Sequence, residues 1–208
     1  MNILIVDDHA IVRLGLKQLI EEIYPYAKVT EVATAKEALT VFGLVRWDLA
    51  ILDVSLPDQN GIHLLKAMKA RQASLPVMIL SLHPEEQYAV RALRAGASAY
   101  IAKERAPEEL SGAIKQVLQG RKFITTSVAE RLAALAFSPE DKLPHERLSD
   151  REFQVLCAIG QGKTVSAIAG DMALSHKTVS TYKARLLEKL QMESTAQLIR
   201  YTLDHSLL

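Results

Sequence analysis

Five side chains in the first half of the chain stand where chemistry can be done: Asp7, Asp8, Asp53, Ser81 and Lys103. Each follows or closes a short apolar run. Ile3-Leu4-Ile5-Val6 leads into Asp7-Asp8, Leu49-Ala50-Ile51-Leu52 into Asp53, Val77-Met78-Ile79-Leu80 into Ser81, and Ala99-Tyr100-Ile101-Ala102 into Lys103. Such runs, bounded by turn residues, read as strands buried on both faces. The five polar groups then belong at the carboxyl edge of one parallel sheet, where open α/β sheets hold their ligands. Taken singly, each has an ordinary explanation as a solvated loop acid, a helix-capping serine or a surface lysine. Taken together they make a site. Clustered carboxylates repel, which raises at least one pKa unless a cation sits among them. Mg²⁺, held by one or two carboxylates and by water, suits such a site. A hydroxyl and an ammonium beside a metal-bound carboxylate form a pocket for a phosphoryl group.

The elements that must position these groups follow from periodicity. Positions 28–32 add a further strand, Lys28-Val29-Thr30-Glu31-Val32. Helical spacing is predicted over 9–23 (Ile11, Val12, Leu14, Leu16, Leu19, Ile20, Ile23), 35–42, 62–71, from Pro84 to 95, and from Pro107 to near Gly120. Prolines suit first helical positions, and the acids Glu85-Glu86 and Glu108-Glu109 favour the positive end of the helix dipole. Five strands alternating with five helices predict an α/β fold, a doubly wound five-stranded parallel sheet covered on both faces.

Beyond Arg121 no strand pattern appears. Positions 125–137 read as a helix, and 138–144, with Pro139 and Pro144, as a linker. Ser149-Asp150-Arg151-Glu152 has the form of a capping box. Further helices are predicted over 165–172, from 176 (with Ser175 as N-cap) to about 190, and over 195–203. Four helices in about 60 residues form a small all-α domain, with no room for a cleft enzyme.

Composition limits the alternatives. The 208 residues are 49% hydrophobic and carry a formal net charge of +1, so a nucleic-acid surface has to be local. Positions 177–189 supply one: Lys177, Lys183, Arg185 and Lys189 stand against Glu188 alone, a net charge of +3. On the helical wheel Val179, Leu186 and Leu190 face a core, while Lys177, Thr181 and Ala184 lie opposite, flanked by Ser180 and Arg185. Lys183 lies near the core edge and would have to snorkel outward. The single Cys157 allows no disulfide within the chain and reads as a small core residue. Neither a signal-peptide pattern nor a bilayer-spanning run is present, so a cytoplasmic location is expected, with no membrane partner.

On these residues, positions 1–120 resemble the receiver domain of two-component response regulators. The matching positions are Asp7-Asp8, Asp53, Pro57 and Gly61 in the loop that follows, Ser81, Tyr100 and Lys103. The resemblance implies a flavodoxin-like sheet in which Asp53 accepts a phosphoryl group from a sensor histidine kinase. It implies that Asp8, Asp53 and the Ser55 backbone carbonyl bind Mg²⁺, with Asp7 acting through water, that Lys103 and Ser81 hold the acyl phosphate, and that Ser81 and Tyr100 form the switch. Ser55 and His83 would border the path of the attacking water and tune phosphate lifetime. Glu104 departs from the family, many members of which have a proline there.

Positions 148–208 resemble the LuxR-type, or NarL/FixJ-type, helix-turn-helix domain. The matching text is Leu148-Ser149-Asp150-Arg151-Glu152, Gly162-Lys163-Thr164-Val165-Ser166-Ala167-Ile168-Ala169, and Leu174-Ser175-His176-Lys177-Thr178-Val179-Ser180-Thr181-Tyr182-Lys183, then Leu190. Ala167 and Tyr182 depart from the usual acid and histidine. The resemblance implies promoter DNA as a partner, with contacts from Lys177, Thr178, Ser180, Thr181, Lys183 and Arg185. It also implies a homodimer when phosphorylated or DNA-bound, paired through the last helix, and admits RNA polymerase as a partner. Residues 121–147 are then a helical linker. Two other functions fit parts of the same pattern. One is a regulator of the same fold that binds DNA independently of phosphorylation. The other is a Mg²⁺-dependent phosphohydrolase, which would need a second acid two residues after Asp53; Ser55 stands there.

Overall fold

The computed structural model of the chain describes residues 1–82, 85–137, 143–205 and 207. The expected helix-opening Pro84, the neighbouring His83 and most of the expected linker, positions 138–142, lie outside the described residues. Among the described residues, no helix is long and apolar enough to cross a membrane. The chain divides into two compact units, Met1–Glu130 and Arg131–Leu208.

In the first unit, five parallel strands, β1 (Asn2–Val6), β2 (Lys28–Val32), β3 (Leu49–Asp53), β4 (Val77–Ser81) and β5 (Ala99–Ala102), lie in the order β2-β1-β3-β4-β5. The order reverses between β1 and β3, which leaves a crevice beyond their carboxyl ends. β3 and β4 are buried throughout, as their apolar runs require, whereas edge strand β2 is only half-buried. Helices α1 (Ala10–Ile23), α2 (Ala35–Phe42), α3 (Gly61–Arg71), α4 (Glu85–Arg94) and α5 (Ala106–Leu118) connect and follow the strands. One core joins Ile3, Ile5, Leu49, Ile51, Met78, Leu80 and Ile101 to Leu16 and Ile20 of α1 and to Leu110, Ile114 and Val117 of α5.

Helix α1 forms where its spacing predicts, and it buries only part of its apolar surface. Leu16 and Ile20 are buried, but Ile11 is 83% and Leu14 52% exposed. The apolar residues of 9–23 form two arcs of the wheel, and only the one holding Val12, Leu16, Leu19 and Ile20 meets the sheet. At the departure after Lys103, no cis peptide bond occurs; Lys103–Arg105 makes a 3₁₀ turn that runs into α5. Helix α6 (Thr126–Phe137) contains the division between the two units.

The second unit holds a 3₁₀ turn (Pro144–Arg147), α7 (Asp150–Gly160), α8 (Val165–Asp171), α9 (His176–Lys189) and α10 (Thr195–Asp204). Its core is built from Phe153, Leu156, Cys157, Ile159, Ile168, Val179, Leu186, Leu190 and Leu198. The expected capping box closes α7: the Ser149 hydroxyl accepts from the Glu152 N–H at 3.3 Å, and Glu152 accepts from the Ser149 N–H at 2.9 Å. Between α8 and α9 the chain turns through Ala173 at φ 49°, a left-handed conformation that L residues adopt at a cost.

Candidate functional site

The carboxyl ends of β1 and β3 bring the two expected acidic segments together. Val6 pairs in register with Leu52, so Asp7 and Asp53 emerge side by side. Both are buried, as is the Lys103 side chain at 7% exposure. The Lys103 ammonium bridges them, 2.6 Å from Asp7 Oδ2 and 2.8 Å from Asp53 Oδ2. Burial raises the Asp53 pKa; Lys103 pulls against this and the charge of Asp7 adds to it. For Lys103 burial works to lower the pKa, and the two carboxylates prevail and raise it. The ammonium is therefore held charged between acids that repel one another.

The loop after β3 is shaped around Asp53. The Ser55 N–H donates to Asp53 Oδ1 at 3.3 Å, and Ser55 forms an isolated bridge with Asn60. Asn60 caps α3, accepting from the Ile62 N–H at 2.7 Å. Gly61 is required by close approach, since a Cβ there would fall 1.8 Å from the Asp53 carbonyl oxygen. Asp58 leaves this loop to accept from the N–H groups of Ala35 and Lys36, at 3.0 and 2.8 Å, at the start of α2. Thr34 and Glu37 complete that cap, so the loop is pinned to a second element.

Ser81 is fully buried at the end of β4, in register with Ala102. Tyr100, the expected switch aromatic, is already inward at 2% exposure and pairs with Ile79. Just beyond β4, Glu85 is buried at the first position of α4. It accepts from the Thr125 hydroxyl at 2.6 Å and from Arg105 Nη2 at 3.1 Å.

Two residues of the site were not foreseen as members of it. His9 Nδ1 lies 2.7 Å from Asp8 Oδ1 and 3.3 Å from Asp7 Oδ1. Arg13 donates to the Asp7 carbonyl oxygen at 2.6 Å. Both follow the acid pair directly at the start of α1, a proximity visible in the sequence but without a motif to mark it. Asp7, Asp8, His9 and Asp53 each offer one ligand atom, all within 4.8 Å of one another.

In the second unit, α9 presents Lys177, Ser180, Thr181 and Arg185 to solvent, while Thr178 and Lys183 are half-buried. The Thr178 hydroxyl is engaged with that of the N-cap Ser175 at 2.8 Å, and the Thr181 hydroxyl donates to the Lys177 carbonyl oxygen at 2.9 Å. Lys189 corrects the charge count: its ammonium lies 2.8 Å from Glu152 Oε2, so it belongs to the domain's internal pairing and not to an open basic stripe. On α10, Leu198 and Thr202 are buried, whereas Leu203 is 59% exposed.

Two family models match the chain. Residues 3–138 match the family model of the response regulator receiver domain, and residues 146–202 that of the bacterial regulatory proteins of the luxR family. Response regulator UvrY of Escherichia coli (strain K12) is 30% identical over 208 residues, covering 100% of this chain and 95% of its own. Response regulator GacA of Pseudomonas aeruginosa is 29% identical, with 100% and 97% covered. The solved structure of RcsB from Salmonella enterica serovar Typhimurium, bound to promoter rprA in the presence of phosphomimetic BeF3-, is similar at a TM-score of 0.64 and 26% identity, covering 97% of this chain and 98% of that one.

Proposed function

The chain belongs to the two-component response regulators that join a receiver domain to a LuxR-type DNA-binding domain, and from that premise we propose that Asp53 is its phosphoacceptor. It is a transcription regulator of a two-component system and not an enzyme. The observation that carries the proposal is the Lys103 ammonium bridging Asp7 and Asp53 at the crevice where the strand order reverses.

An Asp53 oxygen attacks the phosphorus of a kinase phosphohistidine; the new O–P bond forms as the N–P bond breaks, and the imidazole leaves. Lys103, already charged and aimed at Asp53, neutralises the phosphoryl oxygens in the transition state and then the acyl phosphate. Ser81, at the end of the neighbouring strand, donates its hydroxyl to the phosphoryl group and, with Tyr100, passes the change on. The donor set fits a hard divalent cation, because the buried carboxylates of Asp7 and Asp53 and the exposed one of Asp8 offer oxygens within 4.8 Å of one another, and burial disfavours the Asp53 charge. We assign Asp8, Asp53 and the Ser55 carbonyl to Mg²⁺, with Asp7 through water; when bound it supplies charge neutralisation at the phosphoryl group.

For the output, we assign phosphate contacts to Lys177, Lys183 and Arg185, and base or backbone contacts to Ser180, Thr181 and Thr178, whose oxygen can still accept while it serves the cap. The partners are a sensor histidine kinase, promoter DNA and a second copy of the chain through the face of α10 that carries Leu203, with RNA polymerase as a further partner. We place the boundaries at 1–120 for the receiver, 121–147 for the linker and 148–208 for the DNA-binding domain, in a cytoplasmic protein.

Phosphate-affinity gel mobility with acetyl phosphate and Mg²⁺, on wild type and Asp53→Asn, tests the assignment. A retarded band in the wild type alone is expected. A band that persists in the variant overturns Asp53. Equal DNA affinity of wild type with and without acetyl phosphate would favour the phosphorylation-independent regulator.

A further inference from the structure

His9 is the N-cap residue of α1, and the backbone around it is held from two directions. Its own N–H donates to Asp7 Oδ1 at 2.9 Å, and Arg13 ties down the Asp7 carbonyl oxygen at 2.6 Å. This anchoring delivers the imidazole to the acids, with Nδ1 2.7 Å from Asp8 Oδ1. The ligand atoms of Asp7, Asp8, His9 and Asp53 lie within 4.8 Å of one another. Donors on opposite sides of an ion with bonds near 2.1 Å stand about 4.2 Å apart. The cluster needs only a small contraction to close on a cation.

The donors are not of one kind. Carboxylate oxygens and water suit Mg²⁺, which takes imidazole poorly; imidazole suits first-row transition metals, with affinity rising from Mn²⁺ through Co²⁺ to Ni²⁺. We infer that His9 Nδ1 is a further donor of the acidic pocket, which makes it a mixed carboxylate–imidazole site that takes Co²⁺ or Ni²⁺ through nitrogen and Mg²⁺ through oxygen alone. The inference rests on the proposed reading of Asp7, Asp8 and Asp53 as a divalent-cation pocket. His9 then sets metal selectivity. The half-exposed ring, at 51% side-chain exposure, leaves room for it to turn from Asp8 toward an ion.

The test is titration of the untagged full chain with Co²⁺, read by its visible d–d absorption, and with Mg²⁺ by competition, at one fixed pH. Wild type, His9→Gln and Asp8→Asn are compared. Glutamine keeps a polar N-cap residue and offers no imidazole. Loss even of a ligand's supporting partner costs roughly tenfold or more in metal affinity. His9→Gln should therefore lose at least that for Co²⁺ and shift the band, while its Mg²⁺ affinity stays within about twofold of wild type. Asp8→Asn should weaken both metals. An unchanged Co²⁺ affinity and spectrum in His9→Gln overturns the inference and leaves His9 as an ion-pair partner of Asp8. A band that survives Asp8→Asn at full strength also overturns it, since the cobalt then sits on other histidines. Wild type that binds neither metal removes the cation pocket itself, a failure of the parent reading distinct from the other two.

Discussion

Lys189, the last residue of α9, lies 2.8 Å from Glu152, the third residue of α7. The lysine is half-exposed and the carboxylate nearly buried, at 47% and 3% side-chain exposure. Glu152 also accepts from the Ser149 N–H and hydroxyl, at 2.9 and 2.8 Å. One carboxylate thus caps α7 and ties it to α9.

Removing the cation should loosen that tie. Lys189→Ala is expected to cost about 1 kcal/mol at neutral pH, a figure held low by the exposed lysine. Burial works to raise the Glu152 pKa, but Lys189 and Ser149 outweigh it and hold it below the ordinary 4.5. A depressed carboxyl pKa contributes stability that is present above the unfolded value and lost as pH falls through the folded one. The gap between wild type and Lys189→Ala should therefore be full near pH 7 and close in strongly acid solution. Urea unfolding across that range, followed by circular dichroism, checks it; a gap independent of pH would remove the ion pair as its cause.

Gly61→Ala tests the loop that shapes Asp53, the proposed phosphoacceptor. The new Cβ would meet the Asp53 carbonyl oxygen and the Val54 Cα, both backbone atoms that no rotamer change can move. Overpacking of this kind costs roughly 1–3 kcal/mol. Displacement of a reacting group by about 1 Å can cost roughly a hundredfold in rate. A lower urea midpoint is expected, together with slower phosphorylation by acetyl phosphate. A variant that phosphorylates at the wild-type rate would show that the close approach does not position Asp53.

The sheet edge was legible because four apolar runs end in polar residues of complementary chemistry, and period-2 and period-3.6 patterns leave few ways to order them. Ser149 and Glu152 were legible as a cap because both partners lie three residues apart. What stayed hidden depends on distance along the chain. Lys189 counts as a free charge until Glu152, 37 residues away, is seen beside it. Asp58 is one more loop acid until it meets the amides of Ala35 and Lys36. The wheel of α1 shows two apolar arcs, and nothing local says that the one holding Ile11 and Leu14 faces outward.

Asp53→Asn should stabilise the receiver even as it abolishes phosphorylation. The Asp53 carboxyl is held above its ordinary 3.8, chiefly by burial, and Lys103 only partly offsets this. A raised pKa contributes stability that is present below the unfolded value and is lost as pH rises through the folded one, so at pH 7 the carboxylate is a net cost. The amide removes it, and Lys103 keeps Asp7 as a partner. A gain of about 1 kcal/mol corresponds to a Tm rise of roughly 4 °C for a unit of this size. Thermal unfolding without added metal should show the rise at pH 7, shrinking toward acid. A lower Tm in the variant at pH 7 would mean that the Lys103–Asp53 pair outweighs the burial.

The two lysines assigned to DNA phosphates make a quantitative prediction with an internal control. Each phosphate contact releases counterions, which lowers the slope of log K against log salt by about 0.9. Lys177→Ala with Lys183→Ala should therefore flatten the slope by about 2 and weaken binding to specific and nonspecific duplexes alike. Lys189→Ala also removes a formal charge from the same helix, one where the pair removes two, but that ammonium is engaged with Glu152. Its slope should match the wild type at temperatures well below unfolding. Fluorescence anisotropy on promoter and random-sequence duplexes from 50 to 300 mM salt, roughly the range over which such contacts are lost, separates the cases. If Lys189→Ala flattens the slope by about 0.9, as the loss of one phosphate contact does, the basic surface of α9 extends to its last turn and the Glu152 pair opens when DNA binds.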